Sequence, residues 1–60
     1  MDTQTNHILV VDDDERLRDL LRRFLSEQGF RVTTVADAAE ARRQLAVLDF
    51  DLIVLDIMMP

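Results

Sequence analysis

The segment ILVVDDD, residues 8 to 14, joins an uninterrupted apolar run directly to three consecutive aspartates. The apolar part is rich in β-branched residues, and it is too short to form a helix. Such a run is typical of a strand that is buried on both faces, as the strands of parallel sheets are. The segment therefore predicts a central β-strand that ends at a cluster of carboxylates.

The next segment has the periodicity of an amphipathic helix. Apolar residues recur at spacings of three and four from Leu17 to Leu25, with charged residues between them. Asp13 or Asp14 can cap the first amides, and Gly29 supplies the left-handed residue that ends a helix. We predict a helix over residues 14 to 28 and interpret Arg18, Arg22 and Arg23 as a solvated face.

The second half of the chain repeats this alternation of strand and helix. Residues 30 to 35 alternate partly in polarity, which is typical of a half-exposed edge strand. Asp37 and Glu40 form a variant of the capping box, and an apolar stripe of helical spacing follows them. The run LIVL, residues 52 to 55, then predicts a third strand that again ends on an aspartate, Asp56.

The order βαβαβ predicts an α/β fold, in which a parallel sheet carries helices on its faces. Because the second strand is the polar one, we expect the strand order 2-1-3, which is the first half of a flavodoxin-like sheet. Right-handed crossovers in opposite directions then place the two helices on opposite faces. Residues 1 to 60 are thus predicted to form one unit.

Composition restricts the partners of the chain. With 12 acidic and 7 basic residues among 60, the formal net charge is -5, which argues against binding to nucleic acid or to anionic membranes. The absence of cysteine excludes disulfides and thiolate zinc sites. The polar N-terminus resembles neither a signal peptide nor a membrane span, so we expect a cytoplasmic protein.

The predicted strand order creates a switch point between the first and third strands, where ligands gather in open α/β sheets. Asp12, Asp13 and Asp56 are all expected there. Converging carboxylates repel one another unless a cation neutralises them, and Mg²⁺ prefers such oxygen ligands. Since a carboxylate can also attack a phosphoryl group, the pattern favours phosphoryl transfer.

Two blocks of the sequence, VVDDD at residues 10 to 14 and LDIMMP at residues 55 to 60, resemble the signatures of the bacterial response-regulator receiver family. The resemblance implies a signalling module that is not itself an enzyme and that accepts phosphate from a histidine kinase. The residues in these two blocks are most similar to those of receivers attached to winged-helix transcription regulators.

The resemblance also implies a role for individual residues. Asp56 would be the phosphoacceptor, and Asp13 would bind Mg²⁺ directly. Asp12 would be a second acidic ligand, acting directly or through water, and Met58 would contribute its backbone carbonyl. An aspartate-nucleophile phosphatase fits less well, because such enzymes need a second acid at the position that Met58 occupies.

A second class of function stays open, namely a structural fragment that cannot be phosphorylated. The switch Ser/Thr and the phosphate-pairing Lys of the family belong to strands four and five, beyond Pro60. A third strand that is apolar on both faces would then be an exposed sheet edge, and such edges recruit partners. For this class the sequence predicts self-association of the chain, either by pairing of third strands or by swapping of elements across a two-fold axis.

Overall fold

The computed structural model describes residues 6 to 55, which form three strands and two helices in the predicted order. The elements are β1 (His7–Val11), α1 (Glu15–Glu27), β2 (Arg31–Val35), α2 (Ala38–Val47) and β3 (Leu52–Leu55). The first helix was predicted over residues 14 to 28, and both of these end residues are its caps. The α/β fold class is therefore confirmed.

The strands form one parallel sheet in the order β2-β1-β3, as predicted. Val11, the last residue of β1, is the Cα partner of Val35 in β2 and of Leu55 in β3. All three strands thus finish level with one another. The polar strand is on the outside because only the central strand must be apolar on both faces.

The core lies on both faces of β1, all of whose residues are buried. Leu9 and Val11 belong to a cluster that includes Ala41 of α2. Because successive side chains of a strand point to opposite faces, Ile8 and Val10 are buried on the other face, where α1 packs against β1 and β2. The helices therefore cover opposite faces of the sheet, as the crossover rule predicts.

The chain's one histidine has a structural role at the amino end of the sheet. His7 Nε2 lies 2.8 Å from Oγ1 of Thr33 in β2, and the imidazole ring packs on Phe50 with centroids 4.3 Å apart. The His7 amide donates to Oδ2 of Asp51, just before β3, at 2.7 Å. These contacts connect all three strands at the end opposite the aspartate cluster.

Short-range signals in the sequence fix both ends of α1. Oδ1 of Asp14 accepts hydrogen bonds from the amides of Arg16 and Leu17, at 3.0 and 3.3 Å. At the other end Gly29 adopts φ 97°, and the amide of Phe30 reaches back into the last turn of the helix. Glycine is suited to this position because residues with a Cβ disfavour positive φ.

The N-cap of α1 gives the first prediction. The Asp14→Ala variant is expected to lose about 1 kcal/mol of folding free energy, because the first amides of the helix lose their acceptor. Asp13→Ala is the matched control, since it removes the same charge from an exposed neighbour that does not cap the helix. Urea unfolding followed by circular dichroism measures both variants, and equal stabilities would contradict this role of Asp14.

The second helix begins at a capping box, as the sequence predicts. Oδ1 of Asp37 accepts from the amide of Glu40 at 2.8 Å, and Oε1 of Glu40 accepts from the amide of Ala36 at 3.1 Å. The Glu40 side chain thus bonds one residue before the N-cap, Asp37, so the motif is a variant of the capping box. Both bonds satisfy amides that have no partner inside the helix. Neither α1 nor α2, the two helices of the described segment, is long and apolar enough to cross a membrane.

Candidate functional site

The aspartate cluster lies at the carboxyl end of the central strand, which is where ligands bind in open parallel sheets. Asp12 and Asp13 follow β1 directly, and β1 ends level with its neighbours. In the sequence Asp56 comes next after Leu55, the β3 residue in register with Val11. Asp56 and Met58 themselves lie outside the described residues, so their predicted roles stay predictions.

Asp12 is a buried carboxylate, with only 2% of its surface exposed. Its amide extends the sheet by donating to the carbonyl of Val35 at 3.1 Å. Its Oδ1 accepts from the amide of Asp14 at 2.8 Å, whereas its Oδ2 is buried without a hydrogen-bond partner in the described part of the chain. Buried oxygens are seldom left unpaired, so Oδ2 is suited to an additional ligand.

The other two aspartates of the cluster are exposed and differ in what they contact. The carboxylate of Asp14 is used to cap α1. Within residues 6 to 55, no hydrogen bond was found to the carboxylate of Asp13. Asp13 is therefore available to an external cation, whereas Asp14 has a structural role.

The site includes one further residue, Arg18, that the sequence did not predict. Arg18 was interpreted as part of a solvated helix face, but it is half-buried and donates from Nη1 to the backbone carbonyl of Asp12 at 2.8 Å. Its position one helical turn after Asp14 was the available signal, because the first turn of α1 lies beside the aspartate cluster. Nothing in the composition distinguished Arg18 from the other arginines of α1.

The donors at this site fit a hard divalent cation. Four consecutive acids, residues 12 to 15, lie at the end of β1, and one of their carboxylate oxygens is buried and unpaired. A cation offsets both the repulsion and the desolvation of such a group, and Mg²⁺ takes oxygen ligands of this type. Within residues 6 to 55, no group of three His, Cys, Asp or Glu side chains is placed to hold a metal ion together.

Comparison with known proteins agrees with the fold. The family model of the response regulator receiver domain matches residues 8–60, and the chain belongs to this family. No solved structure matches the chain.

Among individual proteins, the chain is similar to protein PetR of Rhodobacter capsulatus, with 58% identity over 60 residues that cover 100% of the chain and 25% of PetR. It is 40% identical to the transcriptional regulatory protein GltR of Pseudomonas aeruginosa, again over 100% of the chain and 25% of the relative. The DNA-binding response regulator MtrA of Mycolicibacterium smegmatis is also 40% identical, over 100% of the chain and 26% of MtrA. The chain thus spans about a quarter of the length of these relatives.

Proposed function

We propose that this chain is the phosphoacceptor module of a two-component response regulator, which receives a phosphoryl group on Asp56 with the help of Mg²⁺. The observation that supports this most is the buried, unpaired Oδ2 of Asp12 at the carboxyl end of the central strand. The sequence continues from Leu55, which is in register with Val11, directly into Asp56. Membership of the receiver family supports the same assignment.

In this proposal Asp13 binds Mg²⁺ directly, and Asp12 binds it directly or through water. Asp56 and the backbone carbonyl of Met58 complete the protein ligands. Bound Mg²⁺ supplies positive charge, which offsets the repulsion between a carboxylate and an incoming phosphoryl group. The exposure of Asp13 beside the buried Asp12 suits this division, since the carboxylate of Asp13 is open to the solvent, whereas that of Asp12 is buried and accepts from the amide of Asp14.

The reaction proposed is a transfer from the phosphohistidine of a histidine kinase. A carboxylate oxygen of Asp56 forms the new P–O bond as the P–N bond breaks, and the electron pair of the broken bond returns to the imidazole nitrogen. The product is an aspartyl phosphate on this chain. The module is thus a signalling substrate of the kinase rather than an enzyme.

The setting that we propose is a cytoplasmic regulator of transcription, of which residues 1 to 60 form the first three strands and two helices of the receiver. The printed names of GltR and MtrA, a transcriptional regulatory protein and a DNA-binding response regulator, support this output. The net charge of -5 argues that DNA binding belongs to another part of such a regulator.

Intact-mass spectrometry tests the proposed function. The chain is incubated with Mg²⁺ and acetyl phosphate, and a parallel sample contains a chelator of Mg²⁺. We expect a gain of one phosphoryl group that depends on Mg²⁺. Failure to gain it, in a sample that circular dichroism shows to be folded, would overturn the proposal.

A specific observation favours a second candidate, a structural fragment that self-associates and is not phosphorylated. Three of the four residues of β3 are exposed, namely Leu52 by 55%, Ile53 by 42% and Leu55 by 60%. Only one edge of β3 is paired among the described strands. An exposed apolar edge of this kind favours pairing with β3 of a second copy.

Sedimentation velocity tests this candidate. At tens of micromolar the chain is expected to be dimeric or larger, and Ile53→Lys is expected to shift it toward the monomer, because a charged edge opposes strand pairing. Leu20→Lys is the control, since Leu20 is 60% exposed but lies on α1, which does not contact β3. A folded monomer of the unmodified chain would exclude self-association.

A further inference from the structure

We infer that Arg18 is a positioning residue of the acidic site, which holds Asp12 in place without neutralising the carboxylates that bind the cation. Its Nη1 donates to the backbone carbonyl of Asp12 at 2.8 Å. The cation-binding part of this inference rests on the proposed function, whereas the part that concerns the local structure does not.

Three hydrogen bonds immobilise Asp12, and each comes from a different part of the fold. The amide of Asp12 bonds to Val35 of β2, its Oδ1 accepts from the amide of Asp14, and its carbonyl accepts from Arg18 of α1. Oδ2 is the oxygen that remains without a partner in the described residues. The bond from Arg18 therefore ties the aspartate cluster to the body of α1, one turn beyond the cap.

Arg18 can position Asp12 without neutralising it because its hydrogen-bond acceptor is a backbone carbonyl and not a carboxylate. A guanidinium beside four acids would ordinarily pair with a carboxylate. Between residues 6 and 55 the salt bridge that was found joins Arg22 to Asp19, and Arg18 bonds to a carbonyl instead. Oδ2 of Asp12 and the carboxylate of Asp13 consequently stay available to a cation.

Arg18 could affect Mg²⁺ binding by positioning Asp12 or through its positive charge alone. These two roles predict opposite changes in Mg²⁺ affinity when Arg18 is replaced. A positive charge near the site repels a cation, so by charge alone the Arg18→Gln variant would bind Mg²⁺ more tightly. If Arg18 instead positions a ligand, the variant binds less tightly, as changes to groups that orient metal ligands weaken binding about 10- to 100-fold. The sign of the change in affinity decides between these roles.

Amide hydrogen exchange without any metal tests the structural part. By NMR, the amides of Asp12 and Asp14 are expected to exchange at least about threefold faster in Arg18→Gln than in the unmodified chain, because local opening becomes easier. The amide of Leu9 serves as the internal reference for global unfolding. Arg16→Gln is the matched control, because Arg16 lies on the same turn and its guanidinium makes no hydrogen bond within residues 6 to 55.

Titration with Mg²⁺, followed by the same NMR spectra, tests the functional part. We expect Arg18→Gln to bind Mg²⁺ about tenfold more weakly. Arg18→Lys is expected to recover part of the affinity, since it keeps a donor but not the geometry of the guanidinium. Arg16→Gln is expected to match or slightly exceed the unmodified chain.

The outcomes separate this inference from the proposed function. Unchanged exchange of the Asp12 and Asp14 amides in Arg18→Gln would overturn the positioning role, whatever the chain does with Mg²⁺. Faster exchange together with tighter Mg²⁺ binding would also overturn it. Faster exchange in a chain that binds no Mg²⁺, even unmodified, would confirm that Arg18 holds Asp12 and would count against the proposed function alone.

Discussion

The Asp56→Asn variant is expected to gain no phosphoryl group from acetyl phosphate under conditions in which the unmodified chain gains one. An amide is neutral and is a far weaker nucleophile than a carboxylate, so it does not form the P–O bond. Asp49→Asn is the matched control, because it removes the same charge from an exposed aspartate shortly before β3. The control is expected to be phosphorylated like the unmodified chain, and intact-mass spectrometry measures all three proteins.

Other side chains could accept the phosphoryl group, so the experiment is informative whether or not Asp56→Asn is modified. A phosphoryl group that persists in Asp56→Asn would assign the acceptor to another side chain, and fragmentation of the modified protein would locate it. Asp13 is the first alternative, because it is an exposed carboxylate at the end of β1. Loss of modification in both Asn variants would point instead to an effect of net charge on the reaction.

The sequence was sufficient to predict the order of the strands, because a strand buried on both faces is apolar and an edge strand contains polar residues. β1 is apolar from Ile8 to Val11 and lies in the centre, whereas β2 has threonines at its middle and lies at an edge. The ends of α1 could be predicted for a different reason, since a capping aspartate and a glycine at positive φ are local requirements of a helix end.

The roles of the three consecutive aspartates were harder to predict. Asp12 is buried, Asp13 is exposed and Asp14 caps the helix, yet their side chains are chemically identical. What separates them is backbone geometry: Asp12 still pairs with β2 through its amide, and Asp14 already has the extended conformation of an N-cap. A pattern of residue types does not contain that information.

Arg18 was missed for a related reason. Its partner is a backbone carbonyl, which every residue possesses, so no pair of complementary side chains appears in the sequence. By contrast, Arg22 and Asp19 are exposed and form an ion pair within α1 at 3.0 Å, with the opposite charges and spacing that sequence analysis looks for. The more visible pair is exposed to solvent and contributes little to stability.

The Asp12→Asn variant is expected to be more stable than the unmodified chain without Mg²⁺, by about 1 kcal/mol, and to bind Mg²⁺ at least about tenfold more weakly. The amide keeps the oxygen that accepts from the amide of Asp14 but removes a buried charge whose Oδ2 has no partner in the described residues. Urea unfolding at a series of Mg²⁺ concentrations measures both effects. Asp13→Asn is the control, since its carboxylate is exposed and its stability without Mg²⁺ is expected to change by less than about 0.5 kcal/mol.

Together, these two effects predict that the order of stability of the unmodified chain and Asp12→Asn reverses as the Mg²⁺ concentration rises. A cation that binds only the folded state stabilises it in proportion to the logarithm of the cation concentration above the dissociation constant. As Mg²⁺ rises, the unmodified chain therefore gains stability earlier than Asp12→Asn and overtakes it. If the variant is already the less stable protein without Mg²⁺, the buried carboxylate does not destabilise the fold, and its burial does not indicate a cation site. A crossing of the two stability curves would instead show that a destabilising buried carboxylate is retained for the cation that it binds.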